Sequence, residues 1–177
     1  LQIQENKKIK ESEVLEKAKK IKLLLLDCDG VLTDGRLYFT EDGEALKIFH
    51  VRDGQGLVAW HQAGFFSGII SGRNSKIVER RAQELGVTFV FQGIKNKVEV
   101  FYEILQKISL QPEETSFIGD DIADIPIMQK VGLSFAVADA VNEVRTIADC
   151  ISELNGGSGA VREVIDLLLQ AKRIRKL

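Results

Sequence analysis

The stretch IKLLLLDCDGVLTDG, Ile21 to Gly35, runs four consecutive leucines straight into two aspartates, Asp27 and Asp29. A short, unbroken apolar run that ends at a glycine turn reads as a strand of a parallel sheet, buried on both faces. Carboxylates are poor company for such a strand, so the pair raises the question of what it does there. The plain answer is a loop or a helix cap; the chemical one is a reactive site. Alternate residues of an extended chain share a face, which puts Asp27 and Asp29 together and Cys28 opposite. Gly30 then lets the backbone leave the strand sharply.

Working outward, GRLYFTEDGEALKIFHV over 35–51 alternates, is rich in aromatic and β-branched residues, and breaks at EDG, which predicts an inserted β-hairpin. Upstream, Val14, Leu15, Ala18 and Ile21 recur at helical spacing after Ser12. From Asp53 onward, strand-length apolar runs (66–70, 88–91, 115–119, 133–137, 149–151) alternate with helical patterns near 54–63, 75–85, 96–107, 122–130, 141–147 and 160–172. That alternation predicts an α/β fold, a doubly wound parallel sheet covered on both faces. With 177 residues, two prolines (Pro112 and Pro126) and no repeat or linker, one domain is expected.

Hydrophobic residues make up 45% and charged residues 28% of the chain, with net charge -2, which offers no general attraction for nucleic acid. The Lys-rich start and the closing AKRIRKL read as solvated charge runs. Residues 172–177 form a candidate mobile tail. Cys28 and Cys150 lie far apart, with Cys28 between the two acids, which suggests a reducing compartment. The longest apolar run is too short to span a bilayer, and a cytoplasmic location is expected with no membrane partner.

Ligands of open α/β sheets bind beyond the carboxyl ends of the strands. There the chain places Asp27 and Asp29 after its first strand, Ser71, Gly72 and Arg73 after the second, and Lys97 near the third. GDDIAD, with Asp120, Asp121 and Asp124, follows the fourth. Several carboxylates at one sheet edge repel one another unless a cation joins them, and an all-oxygen donor set without His or Cys points to Mg²⁺. A metal, a hydroxyl, a glycine amide and a lysine together suit a phosphoryl group. One aspartate can attack phosphorus while the other moves the proton. Each element alone has a bland reading as a turn, a cap or a solvated lysine; their joint order along successive strands favours the site.

DCDGVLTDG, IISGR, Lys97 and IGDDIADIPIM resemble the four motifs of the haloacid dehalogenase superfamily of phosphohydrolases, over roughly Lys22 to Ile151. The resemblance implies Asp27 as nucleophile and metal ligand, and Asp29 as general acid/base that offers its main-chain carbonyl to Mg²⁺. Ser71, Gly72 and Lys97 would hold the phosphoryl group, Asp120 would complete the metal site, and Asp121 and Asp124 would support it. Neither gap between the early motifs has room for a cap domain, so cover for the site is expected from elsewhere, commonly another subunit.

FHVRDGQG, SGRNSKIVERRAQELG, FAVADA and GGSGAVREV are further similar to the 3-deoxy-D-manno-octulosonate 8-phosphate (KDO 8-phosphate) phosphatases. That resemblance implies a homotetramer assembled around its hairpins, and sugar-acid contacts from His50, Val51, Arg52, Asp53, Gly54, Arg73 and Arg81. Arg suits the substrate carboxylate as a planar fork; His50 reads equally as a hairpin-end residue and Arg81 as a surface one. The segment 155–163 is expected either to reach across an interface or to form the turn into the last helix. Rival readings are a nonulosonate 9-phosphate or broad sugar-phosphate phosphatase, a phosphomutase, and, from other classes, a receiver-like phospho-signalling domain or a silent assembly domain.

Overall fold

A computed structural model describes residues 2–3 and 11–174 of the chain. In order the elements are β1 (Gln2–Ile3), α1 (Glu11–Lys20), β2 (Leu23–Leu26), β3 (Tyr38–Thr40), β4 (Gly43–Leu46), α2 (Val51–Gln62), β5 (Phe66–Ile70), α3 (Lys76–Leu85) and β6 (Phe89–Phe91). There follow α4 (Lys97–Ile108), β7 (Thr115–Gly119), α5 (Ile125–Met128), β8 (Leu133–Ala136), α6 (Asn142–Ile147), β9 (Cys150–Ile151) and α7 (Ala160–Ala171).

Six strands pair in parallel in the order β6-β5-β2-β7-β8-β9, and β1 adds antiparallel to the β9 edge. The pattern in the sequence reaches the parallel sheet but not β1, because two residues have no period to detect. β2 is central: its leucines pair with 66–69 on one side and 115–118 on the other, and all four are 0% exposed. Their uninterrupted apolar character follows from that double cover. The chain leaves β2 for β5 and β6, then returns past it to β7 and β8. Strand order therefore reverses beside β2, where such sheets open a ligand crevice.

α2 packs on α7 and β5, α1 on α7 and β8, while α4, α5 and α6 contact one another in series. α2 starts at Val51, ahead of the expected 54, because His50 caps it through Nδ1, which accepts from the Arg52 amide at 3.3 Å. Gly54 and Gly56 in the first turns weaken the helical signal, and histidine is an uncommon cap. The acidic stretch after β7 forms a 3₁₀ turn, Ile122–Asp124, before α5, which is shorter than the expected helix.

β3 and β4 form a separate antiparallel ribbon with Thr40 opposite Gly43. It occupies the middle of the expected 35–51 insertion and presents Leu37, Phe39, Leu46 and Ile48 to solvent, each 44% to 57% exposed. At the other end, the Arg173 and Ile174 amides donate to Gln170 and Leu169 carbonyls beyond α7. The remaining tail residues, 175–177, lie outside the described residues. No helix among the described residues is long and apolar enough to cross a membrane.

Candidate active site

The ladder still holds the first aspartate: the Asp27 amide donates to the Ile118 carbonyl at 3.1 Å. Directly afterwards the Val31, Leu32 and Thr33 amides all converge on the Cys28 carbonyl, at 3.3, 2.9 and 3.1 Å, and Gly30 adopts φ +91°. Asp29 therefore lies in a tight turn beyond the strand, while Cys28 is 0% exposed in the core. Strand alternation alone does not place Asp29; the turn does. A Cβ on Gly30 would meet Asp120 Oδ2 at 2.0 Å, so glycine is what lets this turn close on the end of β7.

Lys97, the first residue of α4, is buried and extends its ammonium between two acids, 2.5 Å from Asp27 Oδ1 and 2.7 Å from Asp124 Oδ1. Asp124 also accepts through Oδ2 from the amides of Asp120 and Asp121, at 3.0 and 3.3 Å. Its oxygens thus hold the Lys97 ammonium and the amides of the loop after β7. Asp121 accepts from the Ile122 amide at 2.7 Å and caps the 3₁₀ turn.

Charge is unbalanced in this cluster. Burial pushes the Asp27 carboxyl up to about 6, against the pull of Lys97 and with the push of Asp124. Burial, then Asp27, Asp124 and Asp121, push Asp120 up to about 8. Lys97 moves upward despite its burial, because Asp27 and Asp124 face it. Asp120 Oδ1 is buried without a hydrogen-bond partner. One oxygen each of Asp27, Asp120 and Asp124 lie within 4.8 Å of one another. Repelling carboxylates, an orphaned buried oxygen and hard donors fit a small divalent cation such as Mg²⁺. Asp124 accepts from Lys97 and two backbone amides and Asp27 from Lys97 through one oxygen, while Asp120 Oδ1 has no partner.

Ser71 and its glycine follow β5. The Ser71 amide donates to Phe91 O at 2.9 Å, and the Ile94 amide donates to Ser71 O at 3.0 Å, which fixes the turn from both sides. Ser71 Oγ accepts from the Arg73 amide at 3.3 Å.

Around Asp29 stands a group that the motifs do not reveal. Lys47, with its side chain 1% exposed, donates to Asp29 Oδ1 and lies 3.1 Å from Glu44 Oε1. Arg73 Nε is 3.4 Å from Asp29 Oδ2, its Nη2 is 3.9 Å from Glu44, and its guanidinium lies over the Phe39 ring. Ser75, the N-cap of α3, donates its hydroxyl to Glu44. The sequence does carry a signal: Leu46 and Ile48 face out and Lys47 in, so the ribbon has its apolar residues outside and a cation inside.

The substrate segment divides. Val51 and Arg52 are exposed on the first turn of α2, and His50 is its cap. Asp53 points elsewhere: it is 1% exposed and accepts from the Gly159 and Arg162 amides at 3.2 and 2.8 Å. Its carboxylate caps α7, and Asp53 also lines a small cavity beside His50, Gly54 and Arg81. Gly54 lies against Arg81, whose Nη1 bonds Glu84 at 2.9 Å and whose guanidinium is 5.9 Å from the Phe49 ring centroid. Gly54, Arg81 and Phe49 line this cavity, of about 10 Å³, between α2 and α3. The 155–163 segment packs on its own chain: the Gly157 amide donates to Val31 O at 2.9 Å and the Gly156 amide to Asp139 Oδ1 at 2.9 Å.

The chain matches the model of the haloacid dehalogenase-like hydrolases over residues 73–165. It is 47% identical to the 3-deoxy-D-manno-octulosonate 8-phosphate phosphatase KdsC of Escherichia coli K12 over 161 residues, 91% of this chain and 86% of that protein. Among solved structures, the corresponding phosphatase of Yersinia pestis superimposes with TM-score 0.89 at 44% identity, covering 90% of this chain and 86% of that one. The Moraxella catarrhalis phosphatase, in complex with magnesium ion, phosphate ion and KDO, gives TM-score 0.90 at 37% identity, covering 93% and 94%.

Proposed function

This chain belongs to the haloacid dehalogenase-like hydrolases, and from that premise we propose that it is a Mg²⁺-dependent 3-deoxy-D-manno-octulosonate 8-phosphate phosphatase. The observation that carries the reading is the junction of Asp27, Lys97, Asp120 and Asp124 at the ends of β2 and β7, beside the Ser71 turn. A Moraxella catarrhalis relative whose structure holds magnesium, phosphate and KDO supports both the ion and the substrate.

In this reading Asp27 attacks the phosphorus of KDO 8-phosphate, and the bond to the sugar oxygen breaks as an aspartyl phosphate forms. Asp29 gives a proton to the departing sugar alkoxide, then takes one from the water that attacks the aspartyl phosphate, which releases inorganic phosphate and restores Asp27. Lys97, the Ser71 hydroxyl and the Gly72 amide bind the phosphoryl oxygens. Lys97 keeps its charge because Asp27 and Asp124 hold it. Asp27 and Asp120, with the Asp29 main-chain carbonyl, would hold Mg²⁺, which neutralises the phosphate charge that Asp27 must approach.

Arg73 is 41% exposed at its side chain and loosely paired, so it is available to the substrate carboxylate. Arg52 and Val51 on the exposed first turn of α2, with His50 and Gly54 beside them, complete the sugar-acid side, with Arg81 behind. A tetramer would bury the apolar outer face of the ribbon, which a two-stranded ribbon leaves in water by itself. Phosphate release from a panel of phosphorylated sugars with Mg²⁺ tests the reading. Preference for KDO 8-phosphate is expected; equal hydrolysis of hexose phosphates or of a nonulosonate 9-phosphate would remove the substrate assignment.

A further inference from the structure

Asp29 is required to move a proton, yet its turn does little to aim it. It lies beside Gly30 at φ +91°, and its Oδ2 has no hydrogen bond, only the half-exposed Arg73 at 3.4 Å. The group that holds its other oxygen is Lys47, 18 residues later in the sequence, on the segment just beyond β4. Lys47 is nearly sealed, with 1% side-chain exposure, against 16% for Asp29. Its remaining partner, Glu44, takes the Ser75 hydroxyl and faces Arg73. One ammonium thereby ties the carboxylate to the ribbon and, through Glu44, to the start of α3.

Stability alone is a poor reason for this arrangement. A buried lysine is expensive to desolvate, and an apolar residue of similar volume commonly serves packing as well or better. What an ammonium supplies, and a methyl group does not, is a fixed direction for the carboxylate it binds. Proton transfer needs that direction, since donor and acceptor must meet at hydrogen-bond distance as the bond to phosphorus breaks.

We propose that Lys47 is a positioning residue for catalysis: its ammonium, carried by the ribbon, fixes the Asp29 carboxylate so that the proton reaches the leaving oxygen. The inference rests on the phosphatase reading above and deepens it. The ribbon is then part of the reacting apparatus, because its contacts with the Asp29 turn and the start of α3 set where Asp29 points.

Leaving groups separate this role from a structural one. An alkoxide leaves only with a proton, whereas p-nitrophenolate leaves without one. The first-turnover release of KDO from KDO 8-phosphate and of nitrophenolate from p-nitrophenyl phosphate is compared, with Mg²⁺, in wild type, Lys47→Met, Lys47→Arg and Asp29→Asn, with thermal unfolding in parallel. The Lys47→Met rate is expected to fall about 30-fold or more for the alkyl ester and to stay within about threefold for the aryl ester, as for Asp29→Asn. Adding Lys47→Met to Asp29→Asn should cost nothing further. Equal loss on both esters, or no loss on either, would overturn the proposal. If Lys47→Met does not fold, Lys47→Arg takes its place, because a displaced cation should lower the same alkyl-to-aryl ratio. If wild type ignores KDO 8-phosphate, glycerol phosphate supplies the alkyl arm; the substrate assignment then fails while Lys47 is still tested.

Discussion

Lys97 meets Asp27 across 70 residues of sequence, with Nζ 2.5 Å from Oδ1, and the same ammonium holds Asp124 at 2.7 Å. That single cation is set against the three carboxylates gathered there, Asp27, Asp120 and Asp124, and it cannot balance them. The imbalance has consequences for the lysine, for metal dependence and for pH.

Replacing Lys97 by methionine strips the cation from two buried acids. Breaking a buried pair typically costs about 3–5 kcal/mol, and losing a phosphoryl donor about 100-fold or more in kcat. Thermal unfolding and steady-state assays check both. The stability loss should be larger at pH 8 than at pH 5, since at the lower pH the freed carboxylates take up protons.

The pH dependence of the metal-free protein follows from Asp120, raised to about 8, and Asp27, raised to about 6, from ordinary values of 3.8. Groups raised on folding bind more protons in the native state, so they favour folding fully below the unfolded pKa. That contribution fades as pH rises through the folded values, here between about 4 and 8. Mg²⁺ restores it by taking the protons' place. The difference in Tm between Mg²⁺ and chelator should therefore widen from pH 5 to pH 8; a constant difference would mean that the carboxylates are not the metal's ligands.

Much of this was legible in the sequence because the fold writes its site at strand ends. The leucine run identified the central strand, and the residues after β2, β5 and β7 with the first residue of α4 named most of the cluster. Lys47 escaped because it comes from the ribbon, outside that rule, and its contact with Asp29 depends on how the ribbon folds back. The cap made by Asp53 was not legible either: in the sequence it stands in the 50–54 segment that the resemblance marks for the sugar acid, yet α7, more than a hundred residues later, turns its N-terminus toward it. Long-range caps of that kind leave no local pattern.

Gly156 is one such long-range contact. A Cβ there would meet the Gly30 carbonyl oxygen at 1.7 Å and its carbon at 2.5 Å, both backbone. Gly156→Ala must push the 155–163 segment off the Asp29 turn, at a stability loss of about 1–3 kcal/mol. A fall in kcat of about tenfold is expected from misplacing Asp29 and Asp120. Unfolding curves and kcat values for this variant, set beside Gly157→Ala, check it.

Arg73 pairs weakly with Asp29 and Glu44 and is open to solvent. Arg73→Met should raise KM for KDO 8-phosphate about tenfold or more, through loss of the charged fork. A phosphomonoester without a carboxylate should show little change in KM. Matching changes for both substrates would place Arg73 with the phosphate instead.

Most direct of all is the fate of the phosphoryl group itself. Rapid acid quench of the Mg²⁺ protein turning over KDO 8-phosphate labelled in its phosphate, followed by peptide mapping, should find the label transiently on Asp27 and absent from Asp27→Asn. Label on another residue, a stoichiometric label that never turns over, or full turnover by Asp27→Asn would contradict a phosphatase built on this aspartate.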